Sequence, residues 1–101
     1  MTQLTGPDPF FAGPTGGEIE IRNAKGLHAR AAAKFCKTAE KFDAEVTVSR
    51  NGNEVAGTSI MGLMMLAAGI GSTIQIRATG PEAAVAVTAL FELVANKFGE
   101  D

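Results

Sequence analysis

The sequence predicts an α+β domain, a two-layer open-faced sandwich with the element order β-α-β-β-α-β-α. Three short segments alternate apolar and polar residues with the period of a strand, two others repeat apolar residues at helical spacing, and one further stretch is apolar throughout. Asn51-Gly52 separates the two middle strands and is a strong hairpin signal. Strands with one apolar face indicate a four-stranded antiparallel sheet that is covered on one side by three helices.

The segment 1–17 is predicted to be a flexible N-terminal tail, and the folded domain is predicted to span 18–101. With 101 residues, the chain has room for a single core. The tail is rich in residues that resist both helix and strand, namely Pro7, Pro9, Pro14, Gly6, Gly13, Gly16 and Gly17.

The first half of the domain contains three predicted strands and one helix. A strand over 18–23 places Ile19 and Ile21 on its buried face. The two strands of the hairpin are predicted over 44–49 and 53–56. A helix over 29–42 lies between the first strand and the hairpin, and its apolar residues recur at helical spacing, at Ala32, Phe35, Cys36, Ala39 and Phe42.

Ser59 is the predicted N-cap of the second helix. The stretch 60–69 that follows is apolar around nearly the whole helix circumference. A short helix in so small a domain cannot bury every side, so we expect part of it to be exposed. Exposed methionines would suit a binding surface, because their side chains repack against different partners.

The last strand is predicted over 73–78, with Ile74 and Ile76 facing inward. Gly80-Pro81-Glu82 is a helix start signal, and Gly99 is the predicted end of the third helix. The buried stripe of this helix is predicted to consist of Ala83, Val87, Leu90, Phe91, Val94 and Phe98.

The composition excludes several classes of function. A net charge of −2 and the absence of Trp and Tyr argue against a nucleic-acid partner, because base stacking and phosphate contacts need aromatic and basic surfaces. One cysteine and one histidine are too few for a disulfide or a structural zinc site, and no metal or cofactor is expected. No apolar run reaches the roughly 20 residues of a membrane helix. We expect a cytoplasmic protein without membrane insertion.

Gly26-Leu27-His28-Ala29-Arg30 lies where the first strand gives way to the first helix, and it contains the only histidine. A helix N-terminus presents unpaired N–H groups and a partial positive charge, so it attracts anions. His28 could hold a phosphoryl group there, and the guanidinium of Arg30 could add a charge-assisted hydrogen bond. The alternative is that His28 merely satisfies local hydrogen bonds, and the residues alone favour that alternative.

No carboxylate pair or Ser-His-Asp pattern indicates a self-contained enzyme. The residues at the helix start would hold a phosphoryl group without an obvious base to activate water, which suits a carrier. The same helix bears a basic stripe at spacings of four, three and four. Next to an anion site, this stripe indicates a docking surface for an acidic partner, although a solvated face is the simpler interpretation of the stripe alone; its members are Arg30, Lys34, Lys37 and Lys41.

Two motifs resemble the signatures of one family. The segment 26–35, Gly-Leu-His-Ala-Arg-Ala-Ala-Ala-Lys-Phe, resembles the active-site segment of HPr, the histidine phosphocarrier of the bacterial phosphoenolpyruvate-dependent phosphotransferase system. The segment 59–64, Ser-Ile-Met-Gly-Leu-Met, resembles the second HPr signature, around a regulatory serine. The two motifs have the expected separation, and the resemblance covers residues 18–99.

The resemblance implies specific roles. Nδ1 of His28 would accept a phosphoryl group from enzyme I and donate it to a IIA-type protein, with Arg30 assisting and the start of the helix at Ala29 and Arg30 binding the phosphate. Ser59 would be the target of an ATP-dependent HPr kinase/phosphorylase, as in many bacteria. The protein would be a monomer and a phosphoryl-transfer intermediate, and its docking residues would be Lys34, Lys37, Ile60, Met61 and Met64.

The chain departs from the common HPr pattern at Ala31, where many members have proline. Proline at a helix start is mainly a conformational device, so we expect phosphoryl transfer to survive the change. The ending 64–68 of the second helix resembles members of the nitrogen-related regulatory branch. An alternative function is a regulatory binding module that is switched by phosphorylation of Ser59 and in which His28 carries no flux.

Overall fold

The computed structural model describes residues 15–100. Its elements follow the predicted order and confirm the fold class. They are β1 (Thr15–Glu20), α1 (Ala29–Ala39), β2 (Glu45–Arg50), β3 (Asn53–Ala56), α2 (Ile60–Met65), β4 (Thr73–Thr79) and α3 (Ala83–Ala95), followed by a 3₁₀ turn (Lys97–Gly99). None of the helices within this range is long and apolar enough to cross a membrane.

The four strands form one antiparallel sheet in the order β1-β4-β2-β3. Alternate residues of the two central strands are buried, as Val48, Ile74 and Ile76 show, whereas the residues between them are not. The helices therefore cover one face of the sheet and leave the other open. The hairpin turn is also as predicted, because Asn51 and Gly52 have positive φ angles of 52° and 84°, as a type I′ turn requires.

The first and third helices bury most of the predicted apolar positions, with differences at the end of α1 and in the middle of α3. In α1 the predicted positions Ala32, Phe35, Cys36 and Ala39 are buried, and Phe42 lies beyond the helix and is only partly buried. The N–H of Glu40 still bonds four residues back, to the carbonyl oxygen of Cys36, but the N–H groups of Lys41 and Phe42 bond only three residues back, so the helix closes in a tighter turn after Ala39. In α3 the predicted positions Ala83, Leu90 and Val94 are buried, the predicted Val87 and Phe91 are only partly buried, and Ala86, which was not predicted, is buried as well.

The first strand begins at Thr15, three residues before the predicted domain boundary at Glu18. Gly16 and Gly17 therefore belong to the sheet and not to the tail. A Cβ atom on Gly16 would lie 1.8 Å from the carbonyl oxygen of Ile76, so the glycine permits a close backbone approach that a side chain would prevent. Composition alone indicated a breaker at this position. The rest of the predicted tail, residues 1–14, lies outside the described residues.

The third helix ends at Ala95, not at Gly99 as predicted. Lys97 and Phe98 adopt left-handed backbone conformations, with φ angles of 58° and 55°, which turn the chain back towards α1. Phe98 is 1% exposed, and its burial in the core holds this turn in place. The residue that emerges from the turn is Glu100.

Candidate functional site

His28 is the residue immediately before α1. Its backbone is extended, and its carbonyl oxygen accepts the first helical hydrogen bond from the N–H of Ala32 at 2.8 Å. The imidazole does not cap the helix, and it is 24% exposed. The ring is therefore held near the surface at the positive end of α1, where an incoming group can reach it.

The first N–H groups of α1 form the second part of the site. Within residues 15–100, the N–H groups of Ala29, Arg30 and Ala31 have no hydrogen-bond acceptor. The side chain of Arg30 is exposed. Unpaired amides at a helix N-terminus and a guanidinium together favour an anion, so this end of α1 can bind phosphate oxygens.

The loop before His28 is locked against the segment that follows α2. Gly26 has a φ angle of 64°, and a Cβ atom there would lie 2.4 Å from the carbonyl oxygen of Ala68. The N–H of Leu27 donates to that same oxygen at 2.9 Å. This close packing joins the histidine loop to the end of α2, so the two predicted motifs share one side of the molecule.

A carboxylate contacts His28, and the sequence patterns did not indicate it. Nε2 of the imidazole lies 2.5 Å from Oε2 of Glu100. The side-chain amide of Asn23, which is fully buried, donates to Oε1 of Glu100 at 3.0 Å and to the carbonyl oxygen of Gly26 at 2.8 Å. Asn23 thus ties the carboxylate to the histidine loop.

The pKa of Glu100 reflects these contacts. Burial acts to raise the pKa of Glu100, but the hydrogen bonds from His28 and Asn23 outweigh this effect, with smaller contributions from the positive charges of His28 and Lys34. The result is a pKa below the usual value of a glutamate, so Glu100 is ionised at neutral pH. An ionised carboxylate only accepts hydrogen bonds, and the proton between Glu100 and His28 therefore belongs to Nε2.

A shallow cavity of about 400 Å³ lies beside this contact. Three of its lining side chains are basic, those of Lys25, Arg30 and Lys34, and one is the carboxylate of Glu100. The ammonium of Lys34 donates to the carbonyl oxygen of Phe98 at 2.7 Å, so this lysine holds the turn before Glu100 as well as adding charge. The excess of cations makes the cavity attractive to an anion.

Helix α2 exposes an apolar face. Leu63 in the helix and Leu66 just after it are buried, but Met61 is 69% exposed and Met65 is 77% exposed. We call the exposed apolar side chains on and after α2 the apolar patch, which comprises Ile60, Met61, Met64, Met65 and Ile70. An apolar surface of this kind indicates a site of protein contact.

Ser59 caps α2, as predicted. Its Oγ accepts a hydrogen bond from the N–H of Gly62 at 2.9 Å. A Cβ atom on Gly62 would lie 3.0 Å from that Oγ, so the glycine leaves room for the cap. Ser59 is only partly buried, and it immediately precedes Ile60, the first residue of the apolar patch.

Comparison with known proteins identifies the family. The family model described as "PTS HPr component phosphorylation site" matches residues 16–96. The chain belongs to the HPr family.

Relatives and solved structures of the HPr family support this assignment. The Phosphocarrier protein HPr of Cupriavidus necator is 54% identical over 83 residues, which cover 82% of this chain and 93% of that protein. The Phosphocarrier protein NPr of Shewanella violacea is 41% identical over 83 residues, covering 82% and 91%. The crystal structure of HPr-C-His from Thermoanaerobacter tengcongensis superposes with a TM-score of 0.83 at 40% identity and covers 86% of this chain and 98% of that one.

The predicted residues of this HPr-family chain fall into two groups. His28, Ala29 and Arg30 lie together at the start of α1, as the motif indicated. The two predicted docking lysines differ in exposure. Lys37 is exposed on α1, whereas Lys34 is partly buried and donates a hydrogen bond to the 3₁₀ turn. Ile60, Met61 and Met64 belong to the apolar patch on α2.

Asn23 and Glu100 were not among the predicted site residues. Asn23 and Gly26 have the spacing of the first and last residues of a β-turn, and the N–H of Gly26 donates to the carbonyl oxygen of Asn23 at 3.1 Å. That spacing could have indicated the turn, but not the carboxylate. The contact between Glu100 and His28 spans 72 positions, and no local pattern indicates it.

Proposed function

We propose that this HPr-family chain is a phosphocarrier in which Nδ1 of His28 accepts a phosphoryl group from phosphorylated enzyme I and passes it to a IIA-type protein. One observation carries the proposal: the imidazole stands at the N-terminus of α1, partly exposed, beside amides without acceptors in the described residues. Such amides favour a dianionic group on the ring. The resemblance of segment 26–35 to the HPr active site supports the same role.

The transfer requires no water-derived nucleophile. The lone pair of Nδ1 forms a bond to phosphorus, the bond between phosphorus and the donor nitrogen breaks, and its electron pair returns to the donor. The N–H groups of Ala29 and Arg30, with the Arg30 guanidinium, would stabilise the negative charge of the transferring oxygens. The reverse sequence delivers the group to the next protein, so the chain is an intermediate in transfer rather than a self-contained enzyme.

The partners would dock on the surface around His28. This surface combines the exposed basic residues of α1, Arg30 and Lys37, with the apolar patch on α2. Basic residues on one helix beside an apolar surface on the next suit a partner that presents both acidic and apolar residues. Enzyme I and IIA-type proteins would use this surface in turn, because each must bring its phosphoryl-bearing group to the same imidazole.

The decisive experiment is labelling by phosphoenolpyruvate in the presence of enzyme I. We expect a phosphate that is labile in acid and stable in alkali, as in a phosphohistidine. His28→Ala should abolish the label, whereas Glu54→Ala, which changes an exposed residue of the hairpin, should retain it. Label that persists in His28→Ala at the level of the parent protein would refute the proposal.

A second role is favoured by the position of Ser59. Its hydroxyl caps α2 beside the apolar patch, and a phosphate on it would bring negative charge to that surface. The chain would then also be a regulatory module, a target of HPr kinase/phosphorylase that binds enzyme I less tightly after modification. This role and the carrier role would use the same surface, so one molecule could not perform both at the same moment.

A further inference from the structure

The carboxylate of Glu100 is held from several directions. Its Oε1 accepts from the amide of the buried Asn23, and its Oε2 meets Nε2 of His28. The turn that carries Glu100 is fixed by the burial of Phe98 and by the bond from Lys34 to the Phe98 carbonyl oxygen. The side chain is only 15% exposed. The carboxylate is therefore held in a fixed position in the site and is not a mobile surface group.

The contact determines which nitrogen of the ring is free. Because a neutral imidazole carries one proton, a hydrogen bond from Nε2–H to a carboxylate leaves the lone pair on Nδ1. Within residues 15–100, Nδ1 of His28 has no hydrogen-bond partner. In other sites, the group bound to one ring nitrogen fixes the tautomer and the orientation of the other nitrogen.

We propose that Glu100, held by Asn23, is a positioning residue that selects the Nε2–H tautomer of His28 and presents Nδ1 as the nitrogen that accepts the phosphoryl group. This inference rests on the proposed function. During transfer, Nδ1 forms its bond to phosphorus while the proton stays on Nε2, in its hydrogen bond to Glu100. No proton has to leave the ring, and the positive charge that develops on the imidazole is met by the carboxylate.

Nitrogen-15 NMR measures the tautomer without any partner protein. His28 is the only histidine, so its two ring nitrogens are identified without ambiguity. At a pH where the ring is neutral, we expect the parent protein to be mainly in the Nε2–H form. Because Glu100→Ala removes a hydrogen bond to a charged group, it should lower the ratio of the two tautomers by at least about tenfold. Glu100→Gln should lie between, because its amide oxygen still accepts a bond but has no charge.

A chemical donor tests the consequence for phosphorylation. Phosphoramidate transfers its phosphoryl group to imidazole without an enzyme: the new N–P bond forms, the old one breaks, and ammonia leaves. We expect the parent protein to give mainly the Nδ1 product and Glu100→Ala to shift the product ratio about tenfold towards Nε2. Glu54→Ala, which removes one exposed negative charge elsewhere, should match the parent in both measurements.

The outcomes separate this inference from the proposed function. If Glu100→Ala and Glu100→Gln keep the tautomer and product ratios of Glu54→Ala, Glu100 is a bystander and the inference is wrong. If Glu100→Ala unfolds, Glu100→Gln alone decides the question. If the ratios shift as expected but enzyme I never labels His28 in the parent protein, the positioning role stands and the proposed function fails.

Discussion

At the scale of single residues, the histidine site depends on a glycine that no other residue can replace without strain. Gly26 combines a left-handed φ angle of 64° with backbone atoms of Ala68 and Gly69 at 2.4 and 2.7 Å from the position of a Cβ atom. Either condition alone disfavours a side chain. Together they make Gly26 the residue that allows the histidine loop to pack against the end of α2.

Gly26→Ala should therefore destabilise the protein strongly. We expect a loss of about 2–4 kcal/mol in the free energy of unfolding, part from the left-handed conformation and part from displacement of the Ala68 backbone. Urea denaturation followed by circular dichroism measures this loss. Under the proposed function, the displaced loop should also lower the rate at which enzyme I phosphorylates His28, in conditions where the variant is folded.

Gly52→Ala is the matched control. Gly52 also has a positive φ angle, 84°, but no atom lies within 4 Å of a Cβ placed there. Its substitution should cost about 1 kcal/mol, from the backbone conformation alone, and should leave phosphorylation unchanged. Equal losses for the two variants would mean that the contact with Ala68 contributes nothing.

At the scale of elements, α2 is a helix of six residues that is held at both ends by side chains. Ser59 accepts the bond from the N–H of Gly62 at its start, and the guanidinium of Arg50 donates to the carbonyl oxygen of Leu66 at 3.1 Å at its end. So short a helix is unstable alone. The two caps and the burial of Leu63 therefore maintain the apolar patch in its exposed position.

Substitutions at Ser59 separate the cap from the charge. Ser59→Ala removes the acceptor and should cost about 1 kcal/mol of stability, whereas Ser59→Asp retains a good N-cap and should cost less than about 0.5 kcal/mol. Thermal unfolding measures both. Under the proposed function, binding to enzyme I should show the opposite order. The carboxylate added in Ser59→Asp borders an apolar surface that the partner would desolvate, so we expect the affinity to fall about tenfold. Equal affinity of the two variants would argue against Ser59 as a switch.

The elements of this fold were largely predictable, since their signals are local. Helical spacing predicted the burial of Phe35 and the others in its stripe, and Asn51-Gly52 predicted the hairpin turn. The first residue of β1 and the last residue of α3 were harder to predict, because they depend on contacts between distant parts of the chain. Gly16 lies in β1 because its backbone packs closely against β4, and Phe98 lies beyond α3 because its side chain is buried in the core.

The site was predictable only in part, for the same reason. His28 and Arg30 are recognisable because their motif is continuous in the chain. Glu100 is absent from every motif, and its relation to His28 exists only once the 3₁₀ turn reverses the chain direction after α3.

At the scale of the whole molecule, one core joins the three helices to the covered face of the sheet. Its buried members come from every helix and from the central strands, and they include Phe35, Leu63, Ile76, Leu90 and Phe98. Cys36 belongs to the same core and is 4% exposed. Because α1 packs against both α2 and α3, exposure of the Cys36 thiol requires much of this core to open.

Cys36 is therefore a reporter of global opening. Burial raises the pKa of its thiol, and the charge of Glu40 raises that pKa further, so the reactive thiolate is scarce as well as inaccessible. In native conditions we expect the disulfide reagent DTNB to react with Cys36 at least about a thousandfold more slowly than with an unfolded chain, given the opening equilibria of small domains. The logarithm of the reaction rate should rise with urea concentration with the same slope as the free energy of global unfolding falls.

The double variant Cys36→Ala, Lys37→Cys is the control. It places the thiol one position along, on the exposed side of α1, and should react at nearly the rate of a free thiol. If Cys36 reacts within a few fold of that control, α1 detaches without the rest of the core, and the histidine at its start rests on an independently mobile helix.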